Sequence, residues 1–152
     1  MDVTSTAEAN RQAVVRVFTE AFNRGDLSAI DEAVSRGGLD HQHPDEADFV
    51  EHLKSVVIAM RTAFPDLHFE ITRMIAEDDW VALHSVMTGS NRGPLEAPLL
   101  PPNGPQAIPP TGRSVRVPHM HMIRMEDGKC VELLHLMDTF AQLGQLGLLP
   151  GR

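Results

Sequence analysis

The spacing of the apolar residues changes once along this chain, from a helical period of about 3.6 to a strand period of two, close to residue 65. Upstream of that point, Val14, Phe18 and Phe22 fall on one helical stripe, and a later stripe ends at Phe64. Downstream, apolar and polar residues alternate from Leu67 onward. Helices followed by consecutive strands predict an α+β fold, in which the helices pack on one face of a curved, mostly antiparallel sheet.

The turn and capping residues between these patterns give the predicted elements. Helices are predicted at about 6–24, with a cap at Ser5 or Thr6, at 27–34, closed by Gly37-Gly38, and at about 47–63. Strands are predicted at 67–76, 80–89, 114–125 and 130–138, the last two joined by a hairpin turn at Asp127-Gly128. Pro118 predicts an edge position or a bulge, because proline cannot donate to a ladder.

The 152 residues suit one domain, 1–152, with residues 1–9 expected to be flexible. Residues 93–110 hold seven of the eleven prolines. A loop of this length without regular structure is usually functional or mobile.

The charge and the cysteine content exclude several classes of protein. A formal charge of −8 argues against a nucleic-acid partner, because phosphate binding needs an excess of Lys and Arg on one face. Cys130 stands alone, so no intrachain disulfide is expected and nothing demands an oxidising compartment. The polar first ten residues lack a signal-peptide core, and no run approaches the ~18 apolar residues of a membrane span. We therefore expect a cytoplasmic protein without membrane contact.

Four short motifs, in consistent order, resemble those of one known family. They are AFPDLH at 63–68, MIAEDDWVA at 74–82, PTGR at 110–113 and RMEDGKCVE at 124–132. Together they cover roughly residues 12–147 and resemble the SnoaL-like polyketide cyclases. Two departures lie near the expected pocket: Leu134 stands where the family commonly has tryptophan, and the segment 95–109 is longer than the family's short link.

This resemblance implies the nuclear-transport-factor-2-like fold, a cone of helices and curved sheet that encloses one apolar pocket. It also implies cofactor-free chemistry in the members that are enzymes, namely intramolecular aldol closure of a polyketide ester with an aspartate as general acid and base. That aspartate corresponds to Asp138. The same superfamily contains isomerases, dehydratases, epoxide hydrolases and non-catalytic binders, so the fold alone does not fix the function.

Asp138 ends the last predicted strand, where Glu132, Leu134, Leu136 and Asp138 share one face. If that face lines the pocket, apolar surroundings would raise the pKa of this carboxyl and make it a usable base near neutral pH. The alternative is that Asp138 caps the short helix that follows it.

His119 and His121 lie two residues apart on one strand, on the same face as Val115, Val117 and Ile123. Buried neutral imidazoles can hold a carbonyl or enolate oxygen and stabilise developing negative charge. They can equally be core histidines satisfied by their neighbours. His135 has the opposite parity to Asp138, so the two are not paired.

A metal site has to be considered, because His-x-His occurs at His41 and His43 as well as at His119 and His121. A cupin would also need a glutamate and a further histidine on a jelly roll, which the N-terminal helices exclude. No metal and no cofactor are therefore expected.

The sequence thus predicts an enzyme that closes a ring in a small, polyketide-like substrate by acid/base catalysis. Asp138 would take the proton, and His119 and His121 would hold the enolate oxygen. The residues expected to bind substrate are Phe18, Phe22, His43, Phe64, Trp80, His84 and Leu134. The alternatives are another enzyme of the superfamily, such as an isomerase, dehydratase or epoxide hydrolase, and a non-catalytic small-molecule binder.

The last two strands carry apolar residues at both parities, for example Val117 and Met120 on the third strand. A face exposed to water should instead alternate with polar residues. The helices can cover only one face of the sheet, so we expect a homodimer that buries the other.

Overall fold

The computed structural model describes residues 3–150 as four helices on a five-stranded, mostly antiparallel sheet. The helices are α1 (Val3–Arg16, extended by a π-helical segment, Val17–Phe22), α2 (Ser28–Ala33), α3 (Phe49–Ala63) and α4 (Thr139–Leu146). The strands are β1 (Val34–Asp40), β2 (His68–Glu77), β3 (Trp80–Ser90), β4 (Leu95–Glu96), β5 (Ala107–Ile108), β6 (Ser114–Glu126) and β7 (Lys129–Met137). The predicted α+β class is confirmed.

The long helices form as their apolar stripes predict. In the first, Val14, Phe18 and Ala21 are buried against the sheet. The side chain of Asp48 caps α3 by accepting a hydrogen bond from the Glu51 amide at 3.1 Å. The first helix begins at Val3, upstream of the predicted cap and within the segment expected to be flexible, while residues 1 and 2 lie outside the described residues.

The large sheet has the strand order β1-β7-β6-β3-β2, with the helices on its inner face. Along β6 the burial alternates strictly from Val115 to Ile123: odd-numbered residues, including His119 and His121, are buried, and even-numbered ones are exposed. The predicted face of these two histidines is therefore confirmed. The hairpin turn is also confirmed, because Asp127 and Gly128 both have positive φ angles, 51° and 76°.

The first strand, β1, was not predicted, because its two glycines were interpreted as the closure of the second helix. It runs parallel to β7 at the edge of the sheet and pairs Asp40 with Leu133. A Cβ atom at Gly38 would collide with the Phe49 ring, so glycine here permits the close approach of α3. Strand β1 positions the polar residues that follow it.

The predicted edge position of Pro118 is wrong, because β6 lies between β3 and β7 and is therefore not an edge strand. No irregularity interrupts its pairing with β3, where Pro118 faces Val86. The pairing of β6 with β7 ends at His119 and Met137, one residue short of Pro118. The missing N–H of Pro118 therefore falls beyond the end of β7 and costs the sheet no ladder hydrogen bond.

The proline-rich segment 93–110 contains one short ladder, in which Leu95 pairs with Ile108 and Glu96 with Ala107. Between these strands, Leu99 and Leu100 pack against the hydrophobic core. The segment is thus folded back onto the body of the protein. Within residues 3–150, none of the helices has the length and apolar character needed to cross a membrane.

Candidate active site

A cavity of about 510 Å³ lies between the helices and the inner face of the sheet. Its apolar wall comes from the first helix with its π-helical segment, from α3 and from the sheet, and residues 98–102 of the proline-rich segment close one side. The lining residues are Phe18, Phe22, Asp40, Gln42, His43, Leu53, Val56, Met60, Phe64, Phe69, Met87, Pro98, Leu99, Leu100, Pro101, Pro102, His119, His121, Leu133, His135, Met137, Thr139 and Gln142. The volume suits a small organic ligand.

Three histidines from two neighbouring strands form one wall of this cavity. His119 and His121 project from β6, and His135 projects from β7 directly opposite His121. His119 is 2% exposed and His121 is 9% exposed. The His121 and His135 rings stack at 4.4 Å between centroids, and His119 Nδ1 lies 2.8 Å from His135 Nε2. We call these three residues the histidine cluster.

Gln42 fixes the protonation pattern of the cluster. Its Nε2 donates to the His135 carbonyl oxygen at 2.6 Å, so its Oε1 is the acceptor that faces His135 Nδ1 at 3.1 Å. His135 therefore carries its proton on Nδ1, and its Nε2 accepts from His119 Nδ1. This leaves a lone pair on His119 Nε2, a buried atom without a hydrogen-bond partner in the described part of the chain.

All three rings of the cluster are neutral near physiological pH. Burial lowers the pKa of His119 to about 3 and that of His135 to about 4. Burial also lowers the pKa of His121 well below its usual value, and the neighbouring His135 and His119 add to this effect. Neutral imidazoles can donate to or accept from a substrate oxygen without bringing a buried charge.

A second polar group lies where β1 ends. Asp40 Oδ2 is 3.0 Å from His52 Nε2 and 3.4 Å from His43 Nδ1, and Asp40 Oδ1 accepts from the Gln42 amide at 2.9 Å. Asp40 and His43 line the cavity, whereas His52 is buried on α3 behind them. This carboxylate therefore orients one imidazole that faces the cavity. Gln42 links it to the histidine cluster.

Comparison with known proteins assigns this architecture. A family profile described as SnoaL-like polyketide cyclase matches residues 12–146. The chain belongs to the SnoaL-like polyketide cyclase family. The resemblance seen in its motifs and the nuclear-transport-factor-2-like fold that it implied are confirmed.

Solved structures agree with this SnoaL-like fold. TsrD from Streptomyces laurentii superposes with a TM-score of 0.79 at 20% identity, covering 93% of this chain and 97% of that one. AclR from Streptomyces galilaeus, a proposed hydroxylase, gives 0.76 at 27% identity, with 96% and 85% covered. IdmH from Streptomyces antibioticus, a proposed polyketide cyclase, gives 0.71 at 25% identity, with 91% and 98% covered. The search of curated proteins returned no match.

The SnoaL-like cavity contains most of the site residues predicted from the sequence. Phe18, Phe22, His43, Phe64, His119 and His121 all line it. Phe18 and Phe69 pack edge to face at 5.4 Å between centroids, and Phe18 meets the His121 ring at 5.2 Å, so aromatic surfaces surround the cluster. Cys130 is buried on β7, and this burial raises the pKa of its thiol to about 12, so the thiol is not a thiolate nucleophile near neutral pH.

Three residues predicted to bind substrate, Trp80, His84 and Leu134, lie instead on the outer face of the sheet, away from this cavity. Trp80 and His84 occupy the even-numbered face of β3, where they pair with Arg124 and Met120 of the exposed face of β6. Leu134 pairs with Met122 on that same outer face. None of the three is among the residues that line the cavity described above.

Asp138 also departs from the geometry expected of it. It is exposed, and its Oδ1 accepts from the Ala141 amide at 2.9 Å as the N-cap of α4. This is the alternative that the sequence left open. The expected apolar surroundings are absent at the described Asp138 side chain, although its catalytic role itself stays a prediction.

A single irregularity in the β6–β7 ladder decides which face of β7 meets the two histidines of β6. The turn pairs Glu126 with Lys129 and Met125 with Cys130, and uniform continuation would place Leu134 opposite His121. The register shifts between Arg124 and Met125, so His135 takes that place instead. A one-residue shift exchanges the two faces of a strand.

Four further residues belong to the site although the sequence did not predict them: His135, Asp40, Gln42 and His52. A signal existed for the first of these, since the strong hairpin turn places β7 beside the two histidines of β6. No sequence signal brings Asp40 to His52, because these residues meet only when β1 packs against α3.

Proposed function

We propose that this SnoaL-like protein is an acid/base enzyme that closes a ring in a small, mostly apolar dicarbonyl substrate by an aldol-type reaction. One observation carries the proposal: a single apolar cavity presents both an imidazole held by a carboxylate and a cluster of neutral imidazoles. The first can move a proton, and the second can hold an oxygen on which negative charge develops.

His43 is the proposed base. Asp40 Oδ2 accepts from its Nδ1, which leaves the Nε2 lone pair for the substrate. Removal of a proton from the carbon next to a carbonyl gives an enolate, and His43 holds that proton. The enolate carbon then attacks the second carbonyl of the same molecule, and the resulting alkoxide takes the proton back.

The histidine cluster is the proposed oxygen site. His121 is the member that would donate to this oxygen, because the N–H groups of His119 and His135 are already directed at His135 Nε2 and Gln42 Oε1. The three rings bring no positive charge into the cavity, so the oxygen is held without a permanent ion pair. The apolar wall, including residues 98–102, excludes water and holds a flexible chain folded on itself. Such confinement supplies the proximity that ring closure needs.

The proposal can be tested with 1-phenylhexane-1,5-dione, whose closure gives 3-phenylcyclohex-2-enone after loss of water. In D₂O, deuterium uptake at the carbon atoms next to the two carbonyl groups reports proton abstraction separately from ring closure. Mass spectrometry measures this uptake. We expect catalysed uptake that His43→Gln reduces by ~10²–10⁴-fold, the usual contribution of a general base. His84→Gln, a histidine on the outer face, is the matched control and should leave uptake unchanged. Uptake at the solvent rate in the unmodified protein would refute the proposal.

A non-catalytic binding protein is the second candidate, and the exposed position of Asp138 favours it. In that case the diketone should bind in the cavity and compete with other ligands, but no deuterium should be incorporated into the diketone. Isomerase, dehydratase and epoxide hydrolase activities would use the same proton-transfer groups, and they would appear as turnover of other substrates with the same dependence on His43.

We also propose that the protein is a homodimer through its outer sheet face. Met120 is 51% exposed, Ile75 62% and Leu136 73%, and these side chains occupy adjacent rows of the sheet. Arg124 and Glu132 lie at one side of this apolar surface, where Arg124 Nε donates to Glu132 Oε2 at 2.8 Å. A two-fold contact would bury the apolar centre against itself and let rim charges of opposite sign meet. Sedimentation should report twice the mass of the 16.7 kDa chain, and a monomer at micromolar concentration would contradict this.

A further inference from the structure

We infer that the histidine cluster, His119, His121 and His135, is a binding site for one divalent transition-metal ion of the zinc or cobalt type. One ring nitrogen of each residue lies within 4.8 Å of those of the other two. The inference rests on the proposed function only for what the ion would do to a substrate, and binding itself can be measured without turnover. It replaces the expectation of a metal-free site, which assumed that no third ligand lay near His119 and His121.

Two nitrogens of the cluster lack hydrogen-bond partners among the residues that the structure describes. They are His119 Nε2 and His121 Nδ1, both without solvent contact on side chains that are at least nine-tenths buried. A buried polar atom left unpaired costs about 1–3 kcal/mol, and a bound ion is one of the few explanations for its presence. An ion bound at His121 Nδ1 would remove that cost for this atom.

The chemistry of the donors fits such an ion. Three neutral imidazoles with one open coordination position are typical of catalytic zinc sites. Gln42 Oε1 accepts from His135 Nδ1 at 3.1 Å, which turns His135 Nε2 and its lone pair toward the cluster. Histidines that bind metals usually donate their second nitrogen to an oxygen in this way.

The spacing requires only local adjustment. Nitrogens bound at about 2.1 Å in a tetrahedral site lie about 3.4 Å apart. The pair His119 Nδ1 and His135 Nε2 is already at 2.8 Å, and ring rotation would bring the third nitrogen inward from its limit of 4.8 Å. The ion would bind His119 Nδ1 and His135 Nε2 in place of the hydrogen bond between them, and the proton on His119 Nδ1 would move to its Nε2. The open position faces the cavity, where a substrate carbonyl oxygen would take it and become polarised.

The test is a titration of chelator-treated full-length protein with CoCl₂, followed by the visible absorption of the ion. We expect one Co²⁺ per chain, with the intense bands of a tetrahedral site, and competition by Zn²⁺. His135→Ala should weaken binding at least tenfold, and His119→Ala should do the same. Circular dichroism of each variant shows whether the fold is kept. Gln42→Leu keeps all three histidines and removes the two hydrogen bonds that orient His135, so it provides a milder second variant with an expected loss of several-fold.

Two controls separate this site from other histidines. His84→Ala lies on the outer face and should bind cobalt like the unmodified protein. His43→Ala removes a member of the other group of possible ligands, Asp40, His43 and His52, and should also leave binding unchanged. Binding that follows His43 but not His135 would overturn the inference, and so would failure of the folded protein to bind cobalt above background.

The same samples distinguish this inference from the proposed function. Deuterium uptake that persists in protein shown to bind no cobalt would overturn the metal site and leave the acid/base enzyme intact. Stoichiometric cobalt without deuterium uptake would support the metal site and overturn the proposed proton transfer.

Discussion

Each face of strands β6 and β7 carries a group of side chains that its surroundings do not favour. The inner face, packed against the helices, carries three histidines, whereas the outer face carries exposed methionine and leucine side chains. Buried imidazoles cost stability unless something binds them, and exposed apolar side chains remain unfavourable unless something covers them. Functional sites are expected where local rules are broken, so the inner face indicates a ligand and the outer face indicates a partner surface.

The largest expected effect concerns the carboxylate of Asp40, which lines the cavity on the inner face of the sheet. Asp40→Asn should lower proton abstraction by ~10²–10³-fold, because His43 loses the carboxylate that orients its ring. His52→Gln is the matched control: it touches the same carboxylate from behind the cavity, so it should affect thermal stability more than turnover. Deuterium uptake and thermal unfolding measured on both variants check this. Equal loss of turnover in the two variants would mean that Asp40 acts through packing alone.

The next effect tests the outer face. Leu136→Lys places a charge at the centre of the proposed two-fold contact and should raise the dimer dissociation constant about 30-fold or more, the effect of removing about 2 kcal/mol. Leu136→Met keeps the surface apolar and should leave the dimer intact. Sedimentation over a concentration series gives the dissociation constants. If the lysine variant remains dimeric, the contact between subunits lies elsewhere.

A smaller effect distinguishes function from stability on the inner face. His121→Leu removes a buried nitrogen without a partner in the described residues and fills the space with apolar atoms. In metal-free protein we expect a gain of about 1 kcal/mol in unfolding free energy, which corresponds to a rise in Tm of about 2–4 °C. Differential scanning calorimetry measures the change. Destabilisation would show that this imidazole makes a contact that the leucine cannot replace.

The smallest effect concerns Asp138, which has the same parity as Leu134 and Leu136. Asparagine caps helices as well as aspartate does, so Asp138→Asn should change neither stability nor turnover by more than about twofold. A fall of 10² or more in deuterium uptake, with unchanged thermal unfolding, would instead restore Asp138 as the general base, the role that the family resemblance implied.

The sequence alone determined the fold class, the family, the hairpin and the inner face of β6. The fold class, the hairpin and the inner face of β6 follow from local patterns: a change of hydrophobic period, an Asp-Gly turn, and apolar residues that alternate along one strand. The family follows from the resemblance of four short motifs. Phe18, Phe22 and Phe64 were assigned to the cavity correctly, because each lies on the apolar stripe of a helix.

Only the tertiary structure decided which residues form the site. One irregularity near Met125 exchanged Leu134 for His135 opposite His121, and no local pattern marks where a ladder takes up an extra residue. The meeting of Asp40 with His52 depends on β1, whose two glycines look like a helix terminus in the sequence, although Gly38 serves the packing of Phe49. Periodicity fixes the side of an element on which a residue lies, whereas register and packing between distant elements fix which side chains meet.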